Sequence, residues 1–156
     1  MSKQTDLLNL TDAITVDGLG DVSIPTLIPE PSVAFHVNDG PVQNSTSAYV
    51  VNFGTVTTDT HSAGSSTRFT APIQGQYLCS YGWMLNSAVS NRHRLTKNGV
   101  ACVTNQYSAG NIYDRIAFTA VIPLDVGDYL EVVNNVNNSN EGNKHGQYDY
   151  FTVVKV

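Results

Sequence analysis

The chain has 156 residues, a net charge of −5, 41% hydrophobic and only 13% charged residues, which is one domain's worth of sequence with enough apolar side chains for a core. Asn, Ser and Thr fill 43 positions and Val another 19, a composition suited to strands and turns. No stretch approaches the roughly 18 apolar residues of a membrane span, the acidic balance opposes the basic face that nucleic-acid binding needs, and Met1-Ser2-Lys3-Gln4-Thr5-Asp6 lacks the apolar core of a secretion signal.

Residues 1–31 are expected to form an extended arm. Asp6, Asp12, Asp17, Asp21 and Glu30 face only Lys3 there, and Pro25, Pro29 and Pro31 make a hinge. Leu7, Leu8, Leu10, Ile14, Val16 and Ile24 are its apolar, anchoring candidates, too sparse to fold alone. A helical turn is expected at 7–10, and a weak hairpin at 14–24 around Asp17-Gly18 and Gly20-Asp21.

From residue 32 to 156 the pattern is β throughout. The predicted strands are 33–38, 49–57, 66–69, 75–84, 92–97, 100–107, 113–122, 129–136 and 148–156, eight or nine short runs separated by turn chemistry, as in a sandwich or jelly roll. Asn98-Gly99 between two runs is the strongest hairpin signal, since a type I′ turn needs positive φ at both central residues. In 76–84, Tyr77, Cys79, Tyr81 and Trp83 alternate with Leu78, Ser80, Gly82 and Met84. In the last run, Tyr148, Tyr150, Thr152, Val154 and Val156 alternate with Asp149, Phe151, Val153 and Lys155. Both faces of that last strand are substantially apolar or aromatic, which suggests that one is buried against another subunit. Cys79 and Cys102 have no metal spacing and fall in strand-like runs, so two buried free thiols are favoured over a bridge.

Thr67-Arg68-Phe69-Thr70-Ala71-Pro72-Ile73-Gln74-Gly75-Gln76-Tyr77 resembles the "G-x-F-x-A-P-x-x-G-x-Y-x-F" run of the jelly-roll domain shared by complement globular heads and tumour necrosis factor, with Cys79 where an aromatic is usual. Leu95-Thr96-Lys97-Asn98-Gly99 resembles that family's "L-x-K-N-G" hairpin and Leu124-Asp125-Val126-Gly127-Asp128-Tyr129-Leu130 its "L-x-x-G-D-x-V" turn. Tyr150-Phe151-Thr152-Val153-Val154 stands where the closing strand lies, without its glycine. The resemblance implies an all-β, antiparallel β-sandwich jelly roll of ten strands that assembles as a homotrimer through aromatic faces; Tyr77, Tyr81, Trp83, Tyr148, Tyr150, Phe151 and Val153 are the interface candidates. A second resemblance, carried by Asp6-Leu7-Leu8-Asn9-Leu10, Ala13-Ile14-Thr15-Val16-Asp17-Gly18 and Gly20-Asp21-Val22, is to the opening of tail-fibre and other virion-surface proteins of tailed bacteriophages.

Nothing in the sequence selects an active site, a metal or a cofactor. No Gly-x-Ser-x-Gly elbow or paired carboxylates appear. His36, His61, His93 and His145 have no metal spacing and read as surface or strand histidines, while Asp125, Asp128, Glu131 and Glu141 show no dense calcium-loop pattern. Arg92 and Arg94, on one face of their strand, suit an anionic glycan or acidic partner, or else guard a solvated edge strand. Asn137, Asn138, Asn140 and Asn143 lie in a long polar stretch that either contacts sugar hydroxyls or is a plain connection.

Two functional classes are expected. The first is a virion structural protein: a trimeric capsid decoration (cement) protein on the outer shell of a tailed phage, made in the host cytoplasm, with the arm laid on the major capsid protein. The lack of coiled-coil, β-helix or collagen repeats for a fibre shaft favours it. The second is a tail-fibre tip or receptor-binding knob gripping host surface glycans. A cytokine- or complement-like ligand is disfavoured by the opening residues.

Overall fold

The structure, a computed structural model, describes residues 15–16, 22–23, 32–41, 47–84, 91–107, 115–136 and 148–156. The chain divides into two compact units, Met1–Pro31 and Ser32–Val156. In the first, β1 (Thr15–Val16) pairs antiparallel with β2 (Val22–Ser23), Thr15 opposite Ser23 and Val16 opposite Val22. This is where the Asp-Gly and Gly-Asp pairs predict a hairpin. Leu7, Leu8, Leu10, Ile14 and Ile24, and the expected turn at 7–10, lie outside the described residues.

The second unit holds ten described strands: β3 (Ala34–Asn38), β4 (Tyr49–Val50), β5 (Thr55–Asp59), β6 (Phe69–Thr70), β7 (Gly75–Met84), β8 (Asn91–Lys97), β9 (Val100–Tyr107), β10 (Arg115–Leu124), β11 (Tyr129–Val136) and β12 (Tyr150–Lys155). They form two antiparallel sheets. Sheet I runs β10-β7-β12-β3-β5; sheet II runs β4-β11-β8-β9, with β6 also pairing β11. The terminal strand β12 is therefore not at an edge: it sits between β7 and β3.

The single run predicted over 49–57 is in fact two strands on different sheets. Gly54 has φ 84°, a conformation that side chains with a Cβ avoid, and its amide donates to Asn52 Oδ1 at 2.9 Å. This turn switches the chain from sheet II to sheet I and drives Phe53 inward. There Phe53 stacks on Phe151 (centroids 5.6 Å, 25°) and meets Tyr81 and Trp83 edge-on at 5.6 and 6.1 Å. Around this aromatic centre lie Phe35, Phe69, Tyr77, Leu95, Ile116, Leu124, Leu130 and Val132, all buried between the sheets.

The turn signals have visible causes. Asn98 and Gly99 have φ 53° and 80°, as the β8–β9 hairpin requires. The Ala71-Pro72 and Val126-Gly127-Asp128 motifs interlock: the Ala71 amide donates to Asp128 O at 2.8 Å, and the Gly127 amide to Ala71 O at 2.9 Å. Two motifs 55 positions apart in sequence thus form one clamp.

The structure corrects the interface candidates. Tyr77, Tyr81, Trp83, Phe151 and Val153 are fully buried within the protomer, so no partner chain can reach them. Alternation points them into the sandwich, where large apolar side chains gain about 1.5–3 kcal/mol each on burial. Tyr148 and Tyr150 alone of the seven retain exposed surface.

Candidate assembly surface

The outward face of sheet I is made by the residues that alternate with the core. Strand register aligns them in cross-strand rows. One row runs Val121, Leu78, Val154 and Ala34; the next runs Thr119, Ser80, Thr152, His36 and Thr58; a third runs Ala117, Gly82, Tyr150 and Asn38. Val121 is 53% exposed and Leu78 38%, so the first row is an uncovered apolar stripe. Along the outward positions of β3, β7, β10 and β12 the one permanent charge is Arg115, held over the Tyr148 ring at 5.4 Å.

Gly82 shapes this face. A Cβ there would lie 2.5 Å from the Tyr150 ring, so glycine lets Tyr150 lie flat across β7 in place of a side chain of its own. His36 stacks on the same ring (6.3 Å, 23°) and hydrogen-bonds Thr152 Oγ1 through Nδ1 at 2.7 Å. Burial lowers the His36 pKa below the ordinary imidazole value, because desolvation penalises the charged ring. The face thus sets hydroxyls beside an apolar stripe, with Arg115 as its permanent charge.

Sheet II presents different chemistry outward. Arg92 and Arg94 share one face, as alternation predicts, while His93 between them is fully buried. Their strand is not an edge strand: β8 pairs β11 on one side and β9 on the other. The reading of these cations as edge guards is thereby corrected. Arg68 donates from Nε and Nη2 to Glu131 Oε1 at 2.8 and 2.7 Å and covers the Tyr129 ring at 4.1 Å. Asn137, Asn138, Asn140 and Asn143 lie outside the described residues.

A buried polar group, unforeseen in the sequence except by the alternation of His93 with its arginines, lies between the sheets. His93 Nδ1 is hydrogen-bonded to Tyr81 Oη, Asn134 Nδ2 donates to Tyr49 Oη at 3.1 Å, and the Met84 amide donates to Asp149 Oδ1 at 2.9 Å. These bonds satisfy groups that would otherwise be costly to bury. The cysteines are free thiols, Cys79 buried and Cys102 exposed, so one of the two is not the buried residue expected. Burial, with Cys102 adding a smaller effect, pushes the Cys79 thiol up to about 12. Cys102 occupies the bulge where the β8–β9 register shifts between Leu95 and Thr96, and donates to Leu95 O at 3.2 Å.

At the turn end of the sandwich Lys97 Nζ binds Asp128 Oδ2 at 2.7 Å and Pro123 O at 2.8 Å, joining β8 of sheet II to β10 of sheet I. The Lys97 hydrogen bond, then those of Asn98 and the Asp125 amide, hold the Asp128 carboxyl down at about 2. No group of three or more His, Cys, Asp or Glu side chains able to hold a metal lies among the described residues.

No family model matches the sequence, and no curated protein sequence matches it. Solved structures do resemble the fold. Murine APRIL aligns with a TM-score of 0.65 and 13% identity over 81% of this chain and 100% of that one. Eiger TNF from S. frugiperda gives 0.64 and 15% over 81% and 94%, and the globular domain of zebrafish complement 1qA gives 0.60 and 14% over 80% and 95%. The β-sandwich is therefore the jelly roll of the tumour necrosis factor and complement globular domains.

Proposed function

We propose that this chain is a non-enzymatic, self-associating structural subunit, a homotrimer built through the outward face of sheet I. The observation that carries the reading is the stripe Val121, Leu78, Val154 and Ala34, apolar and free of charged side chains across four strands of the five-stranded sheet I. An uncovered apolar patch rimmed by polar side chains suits burial against copies of itself. Tyr148 and Tyr150 remain its aromatic candidates.

Within that reading the chain is a virion structural protein, a capsid decoration protein on the outer shell of a tailed phage. What supports the location is the sequence of residues 6–22, similar to the opening of virion-surface proteins, together with the acidic segment 1–31. That segment would lie on the major capsid protein.

Light scattering of the purified full chain tests the assembly: a trimer mass is expected, and Leu78→Glu is expected to yield folded monomers. A wild-type monomer at micromolar concentration would overturn it. Imaging of intact particles with labelled protein tests the location. Hundreds of copies at local three-fold positions would establish decoration, and a few copies at one vertex would favour the second reading. Removing residues 1–31 is expected to leave a trimer that no longer binds the shell.

The second reading, a tail-fibre tip or receptor-binding knob for host surface glycans, is favoured by one observation: Arg92 and Arg94 stand side by side on the opposite sheet.

A further inference from the structure

Six cationic side chains lie among the described residues: Arg68, Arg92, Arg94, Lys97, Arg115 and Lys155. Four are engaged. Arg68 pairs with Glu131 and Lys97 with Asp128, Arg115 covers Tyr148, and Lys155 lies along Gly75 with partners of its own. Arg92 and Arg94 make no hydrogen bond, ion pair or ring contact with another described residue. They are two positions apart on one strand, hence about 7 Å apart along it. Like charges so placed repel one another and gain from an anion between them.

Their surroundings define the anion's chemistry. On the same face Arg92 lies opposite Asn135 and Gln106, and Arg94 opposite Val133 and Thr104. The Asn135 Nδ2 donor is itself buried, so the accessible polar neighbours are Thr104 and Gln106. The nearest carboxylate along β11, Glu131, is taken by Arg68. Amides and hydroxyls around two forked guanidiniums match a polymer bearing both carboxylates and hydroxyls. A protein partner would ask for an apolar centre, and Val133 alone offers one in these rows.

We propose that the outward face of sheet II around Arg92 and Arg94 binds an acidic polysaccharide, its carboxylates on the two guanidiniums and its hydroxyls on Thr104 and Gln106. This deepens the recognition reading and rests on it, whereas the assembly reading uses the other sheet. A trimer presents the site three times, which multiplies avidity along a repeating polymer.

The test measures binding of the full chain to surfaces bearing polygalacturonate, neutral dextran or poly-L-glutamate. Polygalacturonate is expected to retain the protein, less so as salt rises, and dextran is not. Arg92→Gln/Arg94→Gln is expected to weaken retention by about tenfold or more, Arg94→Gln alone by less, and Arg115→Gln not at all. No retention, equal retention on dextran, or a double variant that binds as the wild type would overturn the proposal. Stronger binding to poly-L-glutamate would overturn it in favour of an acidic protein partner. Host-cell adhesion measured in parallel separates this proposal from the reading beneath it. If the double variant adheres as the wild type does, recognition stands and this site fails; if neither adheres while polygalacturonate binds, the face stands and host recognition fails.

Discussion

On sheet I the outward rows run Val121, Leu78, Val154, Ala34 and Thr119, Ser80, Thr152, His36, with the permanent charge of Arg115 lying beyond them at the end of β10. On sheet II the outward positions hold Arg92, Arg94, Glu131 and Gln106, with Arg68 laid across Glu131. Both sheets use the same two-residue alternation to fill one shared core, so the difference is not imposed by folding. A largely apolar, nearly uncharged face suits a copy of itself, and a cationic one a solvated or anionic partner. Variants that act on both faces, on one face, or on the joint between them therefore separate the two roles.

The largest effect is expected from Phe53→Ala, which strikes both faces through the core. Phe53 touches Phe151, Tyr81 and Trp83, and truncating such an aromatic costs about 3–5 kcal/mol. Denaturant unfolding should show this loss together with failure of both self-association and polygalacturonate binding. If either activity survives at wild-type strength, the faces are not aligned by the common core.

Gly82→Val acts on sheet I alone. The added side chain collides with the Tyr150 ring, and overpacking of this kind costs about 1–3 kcal/mol. Tyr150 must lift off β7 and roughen the assembly surface. Light scattering should show a weakened trimer while binding through Arg92 and Arg94 is unchanged per protomer. An intact trimer would mean that this corner lies outside the interface.

Much of this contrast is legible in the sequence, and its limits are instructive. The bounds expected for β7, β9 and β11 match those observed, because clear alternation and the Asn98-Gly99 and Gly127-Asp128 turns punctuate them. The division of the 49–57 run is not legible, since Val51, Asn52 and Phe53 carry strand-like character and only the positive φ of Gly54 breaks it. In the sequence the large side chains of Tyr77, Tyr81 and Trp83 suggest an assembly surface. Alternation does place them on one face, but which face turns inward follows from the opposing sheet, and the larger residues fill the chain's own core. The smaller Leu78 and Ser80 are what remain outside. Register is invisible in sequence as well: Tyr150 over Gly82 and His36 beside Thr152 join residues 68 and 116 positions apart.

His36 gives a smaller, pH-dependent effect on sheet I. Its folded pKa lies below the ordinary imidazole value of 6.5, so below that value the unfolded chain takes up a proton more readily than the folded one. Stability is therefore full above about pH 6.5 and falls as the pH drops towards the folded pKa. Unfolding midpoints at pH 7.5 and 5 should differ more for the wild type than for His36→Gln. Trimer dissociation should follow the same sign, since assembly removes still more water from the ring. Equal pH dependence in the two proteins would exclude His36 as its source.

The smallest effect is expected at the joint between the faces. Asp128 accepts from Lys97 and Asn98, and Lys97 also reaches Pro123 O on the other sheet. With its carboxyl held at about 2 against an ordinary 3.8, this group stabilises the fold above about pH 4 and loses that contribution as the pH falls through about 2. Asp128→Asn should lower the thermal midpoint slightly at pH 7, the modest size reflecting a solvent-screened ion pair. The gap from wild type should close once the wild-type carboxyl is itself protonated. A gap that persists below pH 2 would trace the effect to the Asp125–Asp128 turn geometry rather than to charge. The two faces would then be joined at this end by backbone bonds, such as Ala71 N to Asp128 O, and not by the lysine.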